Sequence, residues 1–300
     1  MRILVTGGAG FIGSAFMKKL QEQNHEAISF DLKKATHGKS IISDILDQEA
    51  VNQAVKTCDR VFHFAAAADL NYCAAHTQKA IDLNVRGVHT FAKACAKYAV
   101  PLNFASTCCV YGDTPHHPST EQDIPIPTEI YAVTKIAAEE ILKQYGTKHL
   151  LPYNILRLGT TYGPGMRGAL AIYWWITQAH RDIPLTIHGS GEQTRCMVYI
   201  DDLVEALYRV ALSNYTNKII NLTRSEEKSV LETATIINKL MDQPLDGLEF
   251  VGDRPGQIMR ENIDTSEAFK LLNWYSETTL EDGIRKTIPW VLYHAKEDNL

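Results

Sequence analysis

A short apolar strand that breaks into glycines and then into a helix leaves a chain few choices of fold. Arg2–Thr6 reads as a strand, Gly7-Gly8-Ala9-Gly10-Phe11-Ile12-Gly13 follows at once, and Phe16, Met17 and Leu20 fall on one face of a helix over Gly13–Gln23. Such a helix packs back on its strand when a second, parallel strand follows through a right-handed crossover. The pattern continues that way. Strands are expected at Ala27–Asp31, Arg60–Ala65, Leu102–Ala105 and Tyr153–Leu158, and helices at Ala50–Lys56, Gln78–Tyr98 and Tyr131–Tyr145. This alternation specifies an α/β fold, a Rossmann-like doubly wound parallel sheet covered on both faces. After Gly163 the rhythm becomes irregular, with helices expected at Ala169–Ala179, Ile200–Leu212 and Val230–Met241. We expect a nucleotide-binding domain over 1–165 and a smaller α/β substrate-binding lobe over 166–300, with an interdigitated boundary. The lobe would close on the carboxyl edge of the sheet, where open α/β sheets bind ligands.

Composition removes other classes. Of 300 residues 45% are hydrophobic and 22% charged, which suits an ordinary globular protein. The net charge is −5 and no Lys/Arg run exceeds a pair such as Lys33-Lys34, so a nucleic-acid partner is not expected. The longest apolar run, around Ala169–Ile176, falls far short of a membrane span. The N-terminus reads as a strand and not as a signal peptide, so a cytoplasmic location is expected. Six cysteines form no CxxC pair, so no metal site is expected and free thiols are.

The spacing Gly7-x-x-Gly10-x-x-Gly13 meets the needs of a pyrophosphate site: a tight turn, close backbone approach, and close packing of helix on strand. Free N–H groups at the following helix end favour an anion. Asp31 ends the second strand about 20 residues later, where a carboxylate accepts from ribose hydroxyls and repels a 2′-phosphate. That points to NAD rather than NADP, although Lys33 and Lys34 follow closely. Asp44 is placed to meet the adenine edge, or to cap the next helix.

These features belong to a longer series. His63-Phe64-Ala65-Ala66, Asn84-Val85-x-Gly87, Ser106-Thr107-x-x-Val110-Tyr111-Gly112 and Tyr131-x-x-x-Lys135 come in order. So do Gly189-x-Gly191-x-Gln193-x-Arg195, Val198-x-x-Asp201-Asp202 and Arg254-Pro255-Gly256. The chain resembles the extended short-chain dehydrogenase/reductases, in the nucleotide-sugar epimerase/dehydratase branch nearest the UDP-glucose 4-epimerases, through to Trp290. The resemblance implies that Gly7, Gly10, Phe11, Ile12, Gly13, Asp31, Asp44, Ile45, Ala65, Ala66, Asn84, Tyr131 and Lys135 hold NAD. It implies substrate contacts from Thr107 and Thr160, diphosphate contacts from Arg195 and Arg254, and a homodimer through helices Gln78–Tyr98 and Tyr131–Tyr145.

Tyr131 and Lys135 are spaced i, i+4 and share a helix face. A hydride leaves a carbinol carbon only if the hydroxyl proton leaves too. Free tyrosine, with a pKa near ~10, is a poor base until an ammonium lowers that value. Tyr131 is the expected base, Lys135 its tuner, and Thr107 the hydroxyl that bridges substrate oxygen and phenol, with Ser106 as the alternative. Dehydratases of this branch carry carboxylates directly after that Thr; this chain has Cys108 and Cys109, expected to fill small pockets. The expected function is C4 epimerisation of a UDP-hexose or UDP-hexuronate through a transient 4-keto sugar, with a nucleotide-linked 4-keto-sugar reductase, or less favoured a dehydratase, as the alternative. Thr160, Cys196 and Gln257 depart from the usual Asn, Asp and Asp, which loosens the identity of the sugar. Arg157 reads as a buried structural arginine, and Tyr173-Trp174-Trp175 as core.

Overall fold

The computed structural model describes residues 1–114, 116–168, 170–253 and 256–295. The first half builds β1 (Arg2–Thr6), α1 (Phe11–Glu22), β2 (Glu26–Asp31), β3 (Lys39–Ile42), α2 (Gln48–Val55), β4 (Arg60–His63), α3 (Leu70–Ala75), α4 (Thr77–Ile81), α5 (Gly87–Tyr98), β5 (Leu102–Thr107), α6 (Ile130–His149) and β6 (Tyr153–Leu158). Side chains alternate along β1: Ile3 and Val5 join the core under α1, and Leu4 joins the core under α2, α5 and α6. Both faces of the strand are thus buried, as a sheet wrapped by helices requires.

The second half adds β7 (Thr160–Tyr162), α7 (Ala171–His180), β8 (Leu185–His188), β9 (Thr194–Tyr199), α8 (Ile200–Leu212), β10 (Lys218–Leu222), β11 (Glu227–Ser229), α9 (Val230–Leu240), β12 (Leu248–Val251), α10 (Ser266–Leu272) and α11 (Leu280–His294). The main sheet runs β3-β2-β1-β4-β5-β6-β10, and every pairing is parallel. Its last strand therefore comes from beyond residue 200, after the chain has left the sheet for β7–β9. A second, three-stranded sheet of β7, β9 and β11 stands above the carboxyl edge. Asp202 on α8 ties down the following segment by accepting from Ser276 Oγ at 2.7 Å and Thr278 N at 2.8 Å.

Three local features differ from the sequence expectation. Edge strand β3 is short and half-exposed, so it lacks the apolar run that marks a strand. The helix expected over Gln78–Tyr98 carries a π-helical turn at Asp82–Arg86, which turns Asn84 inward. The helix expected from Ala169 is observed from Ala171, Ala169 itself lying outside the described residues. Within it Tyr173 and Trp175 are core, while Trp174 is half-exposed.

Arg157, on β6, is 1% exposed and forks onto Glu139 of α6, with Nη2 to Oε2 at 2.7 Å and Nε to Oε1 at 3.1 Å. Its Nη1 donates to Tyr111 Oη at 2.8 Å, which donates to Asn221 of β10 at 2.7 Å. Ser106 of β5 completes the set by donating to Glu139. Removing one member strands a buried charge. Arg157→Met is expected to lower unfolding stability by about 3–5 kcal/mol. Arg157→Met with Glu139→Met should cost less than the single change, as read from urea unfolding.

Candidate active site

The strand order brings three chain segments to one edge. The glycine loop leaves β1, the Ala65–Ala67 segment leaves β4, and Thr107 ends β5. Gly7 adopts φ +70°, and a Cβ there would lie 2.9 Å from Ala65 N. A Cβ on Gly13 would lie 2.1 Å from the Gly7 carbonyl oxygen. These positions admit no side chain, so the loop stays against the strand edge. Helix α1 starts after Gly10 with no side-chain cap, which leaves its first N–H groups, at Phe11 and Ile12, available to a phosphate. The cradle fits a dinucleotide pyrophosphate on these grounds.

Asp31 closes the loop from β2. Its Oδ2 accepts from Ala9 N at 3.1 Å and its Oδ1 from Lys33 N at 3.0 Å, so the carboxylate is fixed while keeping lone pairs for ribose hydroxyls. Asp44 is exposed and accepts from Leu46 N at 2.9 Å; Asp47, not Asp44, caps α2. Ile45 is buried beneath it against Gly87. Asn84 spends its side chain internally. It accepts from Ala67 N at 2.8 Å and donates to Ala67 O at 2.9 Å and to Thr134 Oγ1 at 3.0 Å. Its contribution is to fix the turn that carries Ala65 and Ala66.

Strand alternation separates the two hydroxyls of β5. Ser106 faces Glu139, whereas Thr107 faces the cleft and accepts from Cys109 N at 3.2 Å. Tyr131 and Lys135 come from the first turns of α6. The Lys135 ammonium donates to Ala105 O at 2.8 Å and sits 5.7 Å from the centroid of the Tyr131 ring. Burial pushes the lysine down to about 8. Burial also pushes the Tyr131 phenol above its ordinary value, while Arg167 and a hydrogen bond with Thr107 work the other way. Thr107, Tyr131 and Lys135 are thus brought together, in a dry site where every charge is expensive.

On the opposite wall Arg195, from β9, donates Nη1 to Thr194 O at 2.7 Å and Ile258 O at 2.8 Å. That fixes the guanidinium with other donors to spare. Thr160 lies beside it on β7, paired in register with Met197. Arg254 lies outside the described residues. Cys108 is buried with its thiol on Arg157 O at 3.4 Å, and burial drives its pKa well above the usual thiol range. Burial holds Cys109 at about 11. Both are therefore neutral thiols at pH 7.

Two residues escaped sequence reasoning. Arg167 reaches from beyond β7 to donate to Ala68 O at 3.3 Å, and its charge acts on Tyr131. Glu261, 1% exposed, accepts from Cys196 N at 3.1 Å. Nothing in the run Arg260-Glu261-Asn262 signals burial, because only the three-dimensional path lays its backbone beside β9.

A parallel sheet with a glycine cradle and a Thr/Tyr/Lys set defines a dinucleotide-dependent enzyme of alcohol–carbonyl chemistry. The description of the NAD dependent epimerase/dehydratase family matches residues 3–223, and the chain belongs to that family. The dTDP-glucose 4,6-dehydratase of Salmonella typhimurium is 28% identical over 99% of this chain and 94% of its own. The UDP-glucose 4-epimerase of Thermotoga maritima, solved with UDP-glucose, superposes with a TM-score of 0.92 at 26% identity, over 98% of this chain and 99% of its own. The UDP-glucuronic acid 4-epimerase of Bacillus cereus, solved with UDP-glucuronic acid and NAD, gives 0.92 at 27% identity, over 98% and 100%. NAD is the cofactor of the family, and the cradle fits it.

Lys135 makes a signed prediction. Its folded pKa of about 8 lies below the ordinary 10.5, so between those values the unfolded chain holds the extra proton and stability rises with pH. Below about 8 both states are protonated and the cost of the buried ammonium is fully present. The stability difference between wild type and Lys135→Met should therefore move in favour of wild type from pH 8 to pH 10, as followed by urea unfolding.

Proposed function

We propose that this protein is a nucleotide-sugar 4-epimerase acting on a UDP-hexose or UDP-hexuronate through a transient 4-keto sugar. The observation that carries the reading is the convergence of Thr107, Tyr131 and Lys135 beside two thiols, Cys108 and Cys109, that stay protonated. NAD, when bound, supplies a reversible hydride acceptor. Tyr131 would take the C4 hydroxyl proton and later return it to the C4 oxygen, as the hydride that the cofactor stores is given back to the other face of the turned keto sugar. Thr107 hydrogen-bonds the reacting oxygen and the phenol. Lys135, an ammonium below about pH 8, holds positive charge beside the developing phenolate. Arg195, with Arg254, grips the diphosphate. In this reading residues 1–165 hold the cofactor, 166–300 hold the substrate, and the protein is cytoplasmic.

A second reading is a 4,6-dehydratase, favoured by the Salmonella relative. Water elimination needs an acid and a base beyond Tyr131, and Glu261 is a single carboxyl. Product analysis separates the readings. The NAD-loaded protein with UDP-glucose and no added reductant should yield the C4 epimer at unchanged mass. Loss of one water would support the dehydratase, and NADH-dependent turnover of a UDP-4-keto sugar with none of UDP-glucose a keto-sugar reductase. Tyr131→Phe should lower kcat by about 10²–10⁴-fold while NAD binding is retained, the usual range for a lost general acid–base.

The same reading includes a homodimer built on α5 and α6. Ile130 is 38% and Val133 47% exposed on α6, so the helix carries apolar surface outward. Light scattering should give twice the chain mass of 33.6 kDa, and Val133→Glu should shift it toward the monomer.

A further inference from the structure

His63 ends β4 in a place that would suit an apolar side chain. It is 1% exposed and sits against Phe91 and Phe104, with ring centroids at 4.9 and 6.2 Å. Its Nε2 is buried and has no hydrogen-bond partner among the described residues. Burial, helped by the charge on Lys135, lowers the imidazole to about 3, so the ring is neutral at pH 7. A buried polar atom without a partner costs stability and calls for an explanation. An apolar residue would fill the same space without that cost. The reason for an imidazole must therefore lie in its other nitrogen.

Nδ1 lies 3.0 Å from Oγ1 of Thr6, its partner in register on β1. The same Oγ1 accepts from Ala65 N at 3.0 Å. A hydroxyl has one proton and two lone pairs. The Ala65 amide takes a lone pair, so the Thr6 proton goes to Nδ1 and the imidazole carries its own proton on Nε2. The tautomer follows from this hydrogen-bond pattern. Thr6 is fully buried. With its proton pinned on Nδ1, its hydroxyl cannot rotate away, and a lone pair stays aimed at Ala65 N.

Ala65 is where the cradle is tightest. A Cβ on Gly7 would lie 2.9 Å from Ala65 N and 3.1 Å from Ala65 Cα, so the two backbones are in direct contact. Asn84 holds the far end of the same segment through both backbone groups of Ala67. Thr6 holds the near end.

We propose that His63 is a positioning residue of the cofactor site, which by accepting from the Thr6 hydroxyl turns that oxygen onto Ala65 N and holds the Ala65–Ala66 segment against the glycine loop for NAD. This rests on the glycine cradle as the NAD site. His63 acts through Thr6 and not on the reacting atoms. Its cost falls on stability, at Nε2, and its benefit on cofactor affinity, so the two can be separated by experiment.

Titration calorimetry with NAD, and urea unfolding, both on the full chain, test this with two replacements. His63→Asn keeps an acceptor near the position of Nδ1 but loses the ring contacts with Phe91 and Phe104. His63→Leu keeps apolar bulk but has no acceptor. The two measurements should rank them in opposite orders. His63→Leu should be the more stable variant, yet bind NAD about fivefold or more weakly than wild type, the worth of one neutral hydrogen bond, while His63→Asn stays within about twofold. A side chain that only packs would give one order in both. NAD affinity that follows stability, or that is unchanged in His63→Leu, would overturn the proposal. His63→Phe replaces His63→Leu should the latter fail to fold. Should His63→Asn fail, a cycle with Thr6→Val decides: once the hydroxyl is gone, loss of the imidazole should weaken NAD no further, and additive losses overturn the proposal. A wild type that binds no NAD would bring down the cradle reading as well, an outcome distinct from NAD that binds wild type and His63→Leu alike.

Discussion

The buried fork between Arg157 and Glu139 is the interaction on which the site depends. It joins β6 to α6, and through Ser106 it also holds β5. Thr107 follows Ser106 on β5, and Tyr131 and Lys135 lie one to two turns before Glu139 on α6. The relative position of these three groups is therefore set by a charge pair behind them as well as by the Lys135 contact with Ala105 O. A buried pair of this kind is weak evidence for stability, because desolvation offsets most of the attraction. Its value here is geometric: neither charge tolerates separation from the other, so the strand and the helix stay in register.

What the sequence made legible was local. The strand, glycines and helix of residues 2–22 follow one another with the required spacing, and each signal lies within a few residues of the group it positions. The same holds for Tyr131 and Lys135, since a helix brings i and i+4 together whatever surrounds it. Even the choice between Ser106 and Thr107 is a period-two question that a strand settles once one neighbour is known. Edge strand β3, the π-turn at Asn84, and the return of β10 to the main sheet were not legible. Each depends on what packs against it. Asn84 reads as a polar residue in a helix, and only the folded chain shows its amide holding Ala67 and Thr134.

Burial also sets the chemistry of the cleft. It lowers the Lys135 ammonium and raises the Tyr131 phenol, so both are driven toward their neutral forms. An exposed lysine–tyrosine pair would ionise with little regard to its surroundings. In this site a charge on one group is worth most when the other is charged too, which couples the proton on the phenol to the ammonium at Lys135. The neutral thiols at 108 and 109 follow the same rule and add bulk and weak donors, not charge.

The glycine cradle and the wall around Arg195 come from separate stretches of chain, and this separation explains why one was easier to read than the other. The cradle is built from β1, β2 and β4, whose positions are fixed by neighbours in the sheet. The wall around Arg195 is assembled from the turn after β5, the strand β9 and the segment around Glu261, which meet through long-range hydrogen bonds. A carboxyl can therefore reach this wall from a neighbouring segment without disturbing the glycine loop. A cysteine at 196 with a glutamate at 261 is one such arrangement: the acid reaches the β9 backbone at Cys196 N from a neighbouring segment instead of standing on β9 itself. Side chains on this wall can thus be exchanged among segments while the glycine loop stays as it is.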